Sequence, residues 1–70
     1  MINPDVQAIR TCRVKQGLSA RALAKKARLH GSTIAGIEKT GHPVAPSTAK
    51  AISDALGMQF DALFKVDDGR

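Results

Sequence analysis

The chain has almost nothing large to bury. It holds no tryptophan and no tyrosine, and Phe60 and Phe64 are the two aromatic residues among 70. Its core must therefore be aliphatic. A domain of this size also buries only about 60% of the surface its unfolded chain exposes. An enzyme pocket walled by two domains is out of reach, and one small domain over residues 1–64 with a short flexible tail over 65–70 is the expected organisation.

The charge is uneven. The formal total is +5, but residues 10–50 carry nine cations (Arg10, Arg13, Lys15, Arg21, Lys25, Lys26, Arg28, Lys39 and Lys50) against the single acid Glu38. Residues 51–70 set Lys65 and Arg70 against Asp54, Asp61, Asp67 and Asp68. A basic region opposed by an acidic end suggests an anionic partner for the former. Cys12 stands alone, so no internal disulfide can form, which fits a reducing compartment. No apolar run approaches the ~20 residues of a membrane span, and the stretch Met1-Ile2-Asn3-Pro4-Asp5 lacks a charged-then-apolar signal profile. The expectation is a soluble, cytoplasmic protein.

The apolar spacing predicts five short helices and an all-α fold. Asn3 as cap and Pro4 at the first helical position open the first helix, whose inner face is Val6, Ile9, Cys12 and Arg13. Gly17 ends it. Ser19 caps a second helix over residues 20–27, with Leu23, Ala24 and Ala27 inward. A corner at Arg28-Leu29-His30 leads to a third helix from about Gly31 to Lys39, with His30 at its cap and Ile34 and Ile37 inward. Residues 40–46, with one glycine and two prolines, read as a loop and not a strand. Pro46 opens a fourth helix ending at Leu56 before Gly57. Residues 59–64 close the core with a last short helix.

Residues 20–39 have the spacing of a DNA-binding helix-turn-helix. Ala24 is small where the third helix must cross, Leu29 plugs the corner, and Ile34 with Ile37 turns the opposite face of the third helix outward. A plain helical bundle with a corner would satisfy the same spacing. The wider pattern is more specific. Gly17-Leu18-Ser19 with Leu23-Ala24, Ser32-Thr33-Ile34 with Ile37-Glu38, Ala55-Leu56-Gly57, and Asp61 with Leu63-Phe64 together resemble the phage repressor/Cro-type helix-turn-helix family (XRE family). The resemblance runs from about Ile9 to Phe64. It implies a compact five-helix bundle of the lambda-repressor-like type that inserts its third helix into the DNA major groove and regulates transcription.

The resemblance also assigns roles. Base reading falls on Gly31, Ser32, Thr33 and Gly36, with His30 at the helix start and Ala35 and Lys39 nearby. This set is meagre, because bidentate base contacts usually come from Arg, Lys, Asn or Gln. Ser32 can equally be an exposed helix residue, Thr33 a first-turn cap and His30 a local cap. Phosphate contact, read from charge and position and not from the resemblance, falls on Ser19 at the start of the second helix, on Arg28, Lys39 and His42 flanking the third, and on Arg21, although Arg21 with Lys25 and Lys26 equally reads as a solvated face. Six neutralised phosphates would give a salt slope of about −5. Relatives carry an ion pair at the positions of Arg13 and Glu38, read here as structural.

Three departures stand out. Many relatives have glycine where this chain has Arg28, and an arginine there costs roughly 1 kcal/mol if its φ is positive. Either the turn differs or Arg28 is kept for its charge. Ala22 replaces the usual Glu/Gln partner of the Ser19 cap. The loop after Glu38 is slightly longer than in compact phage repressors.

Nothing points to catalysis: there is no nucleophile–base pair and no paired carboxylates. His30 and His42 lack metal-spaced company, so neither metal nor cofactor is expected, and Cys12 reads as a core thiol. Two functions are open. One is a sequence-specific double-stranded DNA-binding regulator, with a homodimer through the C-terminal helix (Phe60, Leu63, Phe64) as one arrangement. The other is a protein-interaction adaptor or antitoxin-type co-regulator with secondary DNA binding, which the glycines at 31 and 36 favour.

Overall fold

A computed structural model describes residues 1–66. Its elements run β1 (Ile2–Pro4), α1 (Val6–Lys15), α2 (Ala20–Lys26), α3 (Thr33–Thr40), α4 (Pro46–Leu56), α5 (Phe60–Leu63) and β2 (Phe64–Val66). The five helices enclose an aliphatic core whose fully enclosed members include Ile9, Leu23, Ile34, Ile37, Ile52 and Leu63. At roughly 1.5–3 kcal/mol for each large aliphatic side chain taken from water, these residues supply most of the driving force. α3 packs against both α1 and α2, and α2 also meets α4, so the corner is braced from two sides.

The two strands correct the all-helical expectation locally. β1 and β2 pair antiparallel, with Ile2 opposite Val66 and Pro4 opposite Phe64. The Asp5 N–H donates to the Leu63 carbonyl at 2.7 Å, while Ile2 exchanges two backbone bonds with Val44 on the other edge. Pro4 faces the same edge as Ile2, so its missing N–H breaks no bond to β2. The pairing holds residues 2–4 extended. Asn3 and Pro4 consequently do not start the first helix; Asp5 is the cap, accepting from the Ala8 N–H at 3.1 Å. The bridge at Val44 gives the loop of residues 40–46 one strand-like residue. Lys65 and Val66, expected in a frayed tail, belong to β2; the remaining residues of that tail, 67–70, lie outside the described part.

Three helices stop by the same device. Gly17 (φ 71), Arg28 (φ 60) and Gly57 (φ 64) are left-handed. Each donates its N–H to the carbonyl three residues back: Val14, Lys25 and Asp54. The next residue in each case (Leu18, Leu29 and Met58) donates to the carbonyl five back: Arg13, Ala24 and Ser53. This paired closure satisfies helix-end carbonyls that would otherwise lack partners. Arg28 is the one non-glycine residue with positive φ among the described residues. The corner therefore keeps the left-handed geometry, and a different turn is not the explanation for the arginine.

Candidate nucleic-acid interface

α2 is anchored first. Ser19 Oγ accepts from the Ala22 N–H at 3.0 Å, which caps the helix without the second half of the capping box. Leu23 and Ala24 are fully buried and Ala27 nearly so. Ala24 lets α3 cross closely. Leu29, half-buried, packs against the core at the corner.

α3 begins later than its spacing suggested. Gly31 and Ser32 form a turn, Ser32 takes the cap position with no side-chain capping bond, and the helix starts at Thr33. His30 is therefore not the cap; its Nδ1 lies 3.1 Å from Ser32 Oγ and its carbonyl accepts from the Thr33 N–H at 3.0 Å. Gly31 sits ahead of the helix, so it escapes the propensity cost of an interior glycine. Gly36 remains inside the helix. The helix ends at Gly41 (φ 67), whose N–H reaches the Ile37 carbonyl at 2.7 Å.

Burial of Ile34 and Ile37 orients α3. With 3.6 residues per turn, Ser32, Ala35, Gly36 and Lys39 share the face away from these two. Ser32, Ala35 and Lys39 are exposed; Thr33 and Gly36 are half-buried. The face is flat and carries few donors. An added Cβ at Gly36 would meet nothing within 4 Å.

The expected phosphate-contacting residues do not form one cluster. Arg21 comes together with His30, Gly31 and Ser32 around one shallow, open cleft at the start of α3. The Arg21 side chain lies over Gly31, its Nε 3.8 Å from where a Cβ there would stand. Lys39 and His42 lie at the opposite end of the helix, about 12 Å away along an eight-residue axis. His42 is exposed, and its Nδ1 lies 3.1 Å from the Pro43 carbonyl. Arg28 is exposed on the turn entering α3. A second open cleft sits between the sheet and α5, lined in part by Asp5 and Asp61. Its carboxylates give it the wrong sign for a nucleic acid.

Arg13 and Glu38 brace α3 from behind. Arg13 Nε donates to Glu38 Oε2 at 2.8 Å and Nη2 to Oε1 at 2.9 Å, while Nη1 donates to the Leu18 carbonyl at 2.8 Å. The side chains are 13% and 12% exposed. The hydrogen bonds that Arg13 donates to the Glu38 carboxylate, together with its negative charge, hold the guanidinium above its ordinary pKa against the lowering effect of burial. The Leu18 carbonyl gave no signal in the sequence, because a main-chain acceptor has no residue identity. Gln16 was missed for a related reason. Its Nε2 donates to the Leu56 carbonyl at 2.7 Å, tying the ends of α1 and α4 across 40 positions.

A small alanine under a helix crossing, a left-handed corner and an outward face bounded by basic residues define a helix-turn-helix domain. The helix-turn-helix family profile matches residues 9–63. The chain belongs to the XRE-type helix-turn-helix family, a class of DNA-binding transcription regulators. Its fold is similar to that in the crystal structure of a hypothetical transcription factor, NHTF, from Neisseria. The match has a TM-score of 0.73 at 25% identity and covers 86% of this chain and 78% of that one. Comparison with curated protein sequences gives no match. Among the described residues no helix is long and apolar enough to cross a membrane.

Proposed function

We propose that this protein is a sequence-specific, double-stranded DNA-binding regulator of the repressor/Cro type that lays α3 in the major groove and acts by binding, without catalysis. The observation that carries this reading is the orientation of α3. Its apolar seam is fully used by the core, and its other face is left open between Arg21 at one end and Lys39 at the other. A helix about 10–12 Å across fits a groove about 12 Å wide, which brings both cations toward the flanking phosphates.

Within this reading the roles divide by side-chain chemistry. Ser32 and Thr33 offer single hydrogen bonds to base edges, and the Thr33 methyl offers an apolar contact to a thymine methyl. His30 lies beside them. Gly31 and Gly36 allow close backbone approach. Ser19 uses its oxygen as a cap acceptor and keeps its O–H for a phosphate. Arg21, Lys39 and His42 supply positive or polar contacts to the sugar–phosphate backbone. With so few long readers, sequence-dependent duplex shape carries a large share of the selectivity. Dimerisation through the last helix has little apolar surface to use. Leu63 and Phe64 are buried in the chain's own core, and the Phe60 ring packs 5.5 Å from that of Phe64.

Selection of bound sequences from random duplex DNA at near-physiological salt, with a parallel salt titration, tests the proposal. An enriched motif with a steep negative salt slope is expected, and an enriched palindrome would mean two copies per site. No motif and a flat salt response would remove the DNA-reading function and leave the adaptor reading. At residue level, Ser32→Ala should alter base preference, while Lys39→Ala should weaken all sequences alike and reduce the salt slope by about one.

A further inference from the structure

The three matching helix stops permit a comparison inside one molecule. All three demand a left-handed residue, and all three make the same pair of backbone bonds. Two use glycine, the residue that adopts this conformation without a Cβ penalty. The third uses Arg28, a long side chain in a conformation that disfavours it. Packing does not explain the choice: Arg28 is exposed and makes no side-chain hydrogen bond or ion pair among the described residues. Stabilisation of the α2 terminus by positive charge does not explain it either, since Lys25 and Lys26 already occupy the last turn. Arg28 adds a third cation within four residues, which is unfavourable until an anion is present.

We infer that Arg28 is held at a glycine position because its guanidinium grips a DNA backbone phosphate, so that the corner of the helix-turn-helix gives up folding stability for attachment. This rests on the DNA-binding reading above and deepens it. With α3 in the major groove, the turn that enters α3 lies over the groove's rim, where phosphates and not base edges are within reach. The planar fork of an arginine matches two phosphate oxygens at once. The contact is independent of sequence, and it fixes the depth and tilt of α3 from the end where Ser32 and Thr33 begin the helix.

Arg28→Gly, Arg28→Asn and Arg28→Lys in the full chain test this, each with a thermal unfolding curve and a salt titration on a labelled mixed-sequence duplex. Arg28→Gly should unfold at a temperature higher by roughly 4 °C. It should bind about five- to tenfold more weakly, and its salt slope should be less steep by about one. Arg28→Asn tolerates the left-handed backbone without the charge and should show the same loss of slope. Arg28→Lys keeps the charge and should retain the slope. Unchanged affinity and slope in Arg28→Gly would overturn the inference while the DNA-binding reading stands, and so would a fall in its unfolding temperature. Wild-type protein with no salt-dependent duplex binding would remove the reading and the inference together.

Discussion

Replacing Glu38 with alanine isolates the contact that ties α1 to α3. The substitution deletes two of the three hydrogen bonds that hold the Arg13 guanidinium and leaves it with the Leu18 carbonyl alone. Breaking a buried ion pair costs about 3–5 kcal/mol, because one charge stays desolvated without its partner. With 13% of the Arg13 side chain exposed, some water can reach the orphaned cation, and the low end, about 3 kcal/mol, is expected. A chain of this length has a total stability of roughly 3–10 kcal/mol, so the loss is a large fraction of it. In urea, with a slope of about 1 kcal/mol/M, the unfolding midpoint should fall by about 3 M. A double-mutant cycle with Arg13→Ala should give a coupling of about 2–3 kcal/mol. A coupling below about 0.5 kcal/mol would place the pair among ordinary surface contacts and refute the argument from burial.

The same pair makes a statement about pH. Because the folded-state pKa of Arg13 is raised, its contribution is fully present below the already strongly basic unfolded value and is lost only as pH rises through the still higher folded value. The arginine's share of the stability lost in Glu38→Ala should therefore be the same at pH 7 and pH 9, measured by urea unfolding at each; a large decline between them would contradict it. Gly36→Ala should stabilise the fold by about 0.5–1 kcal/mol, since the new Cβ meets nothing in the chain, and should weaken duplex binding by filling the open face. A thermal melt unchanged or lowered by the alanine would show that the glycine serves the fold. Ile2→Ala should cost about 2–4 kcal/mol, because Ile2 is 5% exposed and part of the core; a change within 0.5 kcal/mol would mean that the β1 end is not packed.

Local signals were legible wherever the chemistry of one or two residues sets the backbone. Pro46 and Gly57 bound α4 as the sequence indicates, because proline fits the first helical position and glycine fits the left-handed stop. The seam of Ile34 and Ile37 located the outward face of α3 from periodicity alone. The start of α3 was misplaced by two residues, since neither Gly31 nor His30 carries a decisive cap signal and Ser32 caps without a side-chain bond.

The paucity of aromatics, the period of the apolar residues and the run of cations determine by themselves an aliphatic helical domain with a basic helix-turn-helix. These are properties of composition and short-range spacing, and a helix expresses them within a few residues. Tertiary structure decided the rest. Three-residue strands carry no usable periodicity, and the pairing of Ile2–Pro4 with Phe64–Val66 joins the two ends of the described chain. The bidentate clasp of Arg13 on Glu38 spans 25 positions. The sign of φ at Arg28 depends on how α2 must turn to lay α3 across it. The strand pairing and the geometry of the clasp are set by parts of the chain that meet only after folding, so periodicity carries neither, although the family resemblance marks the Arg13 and Glu38 positions and the corner held by Arg28.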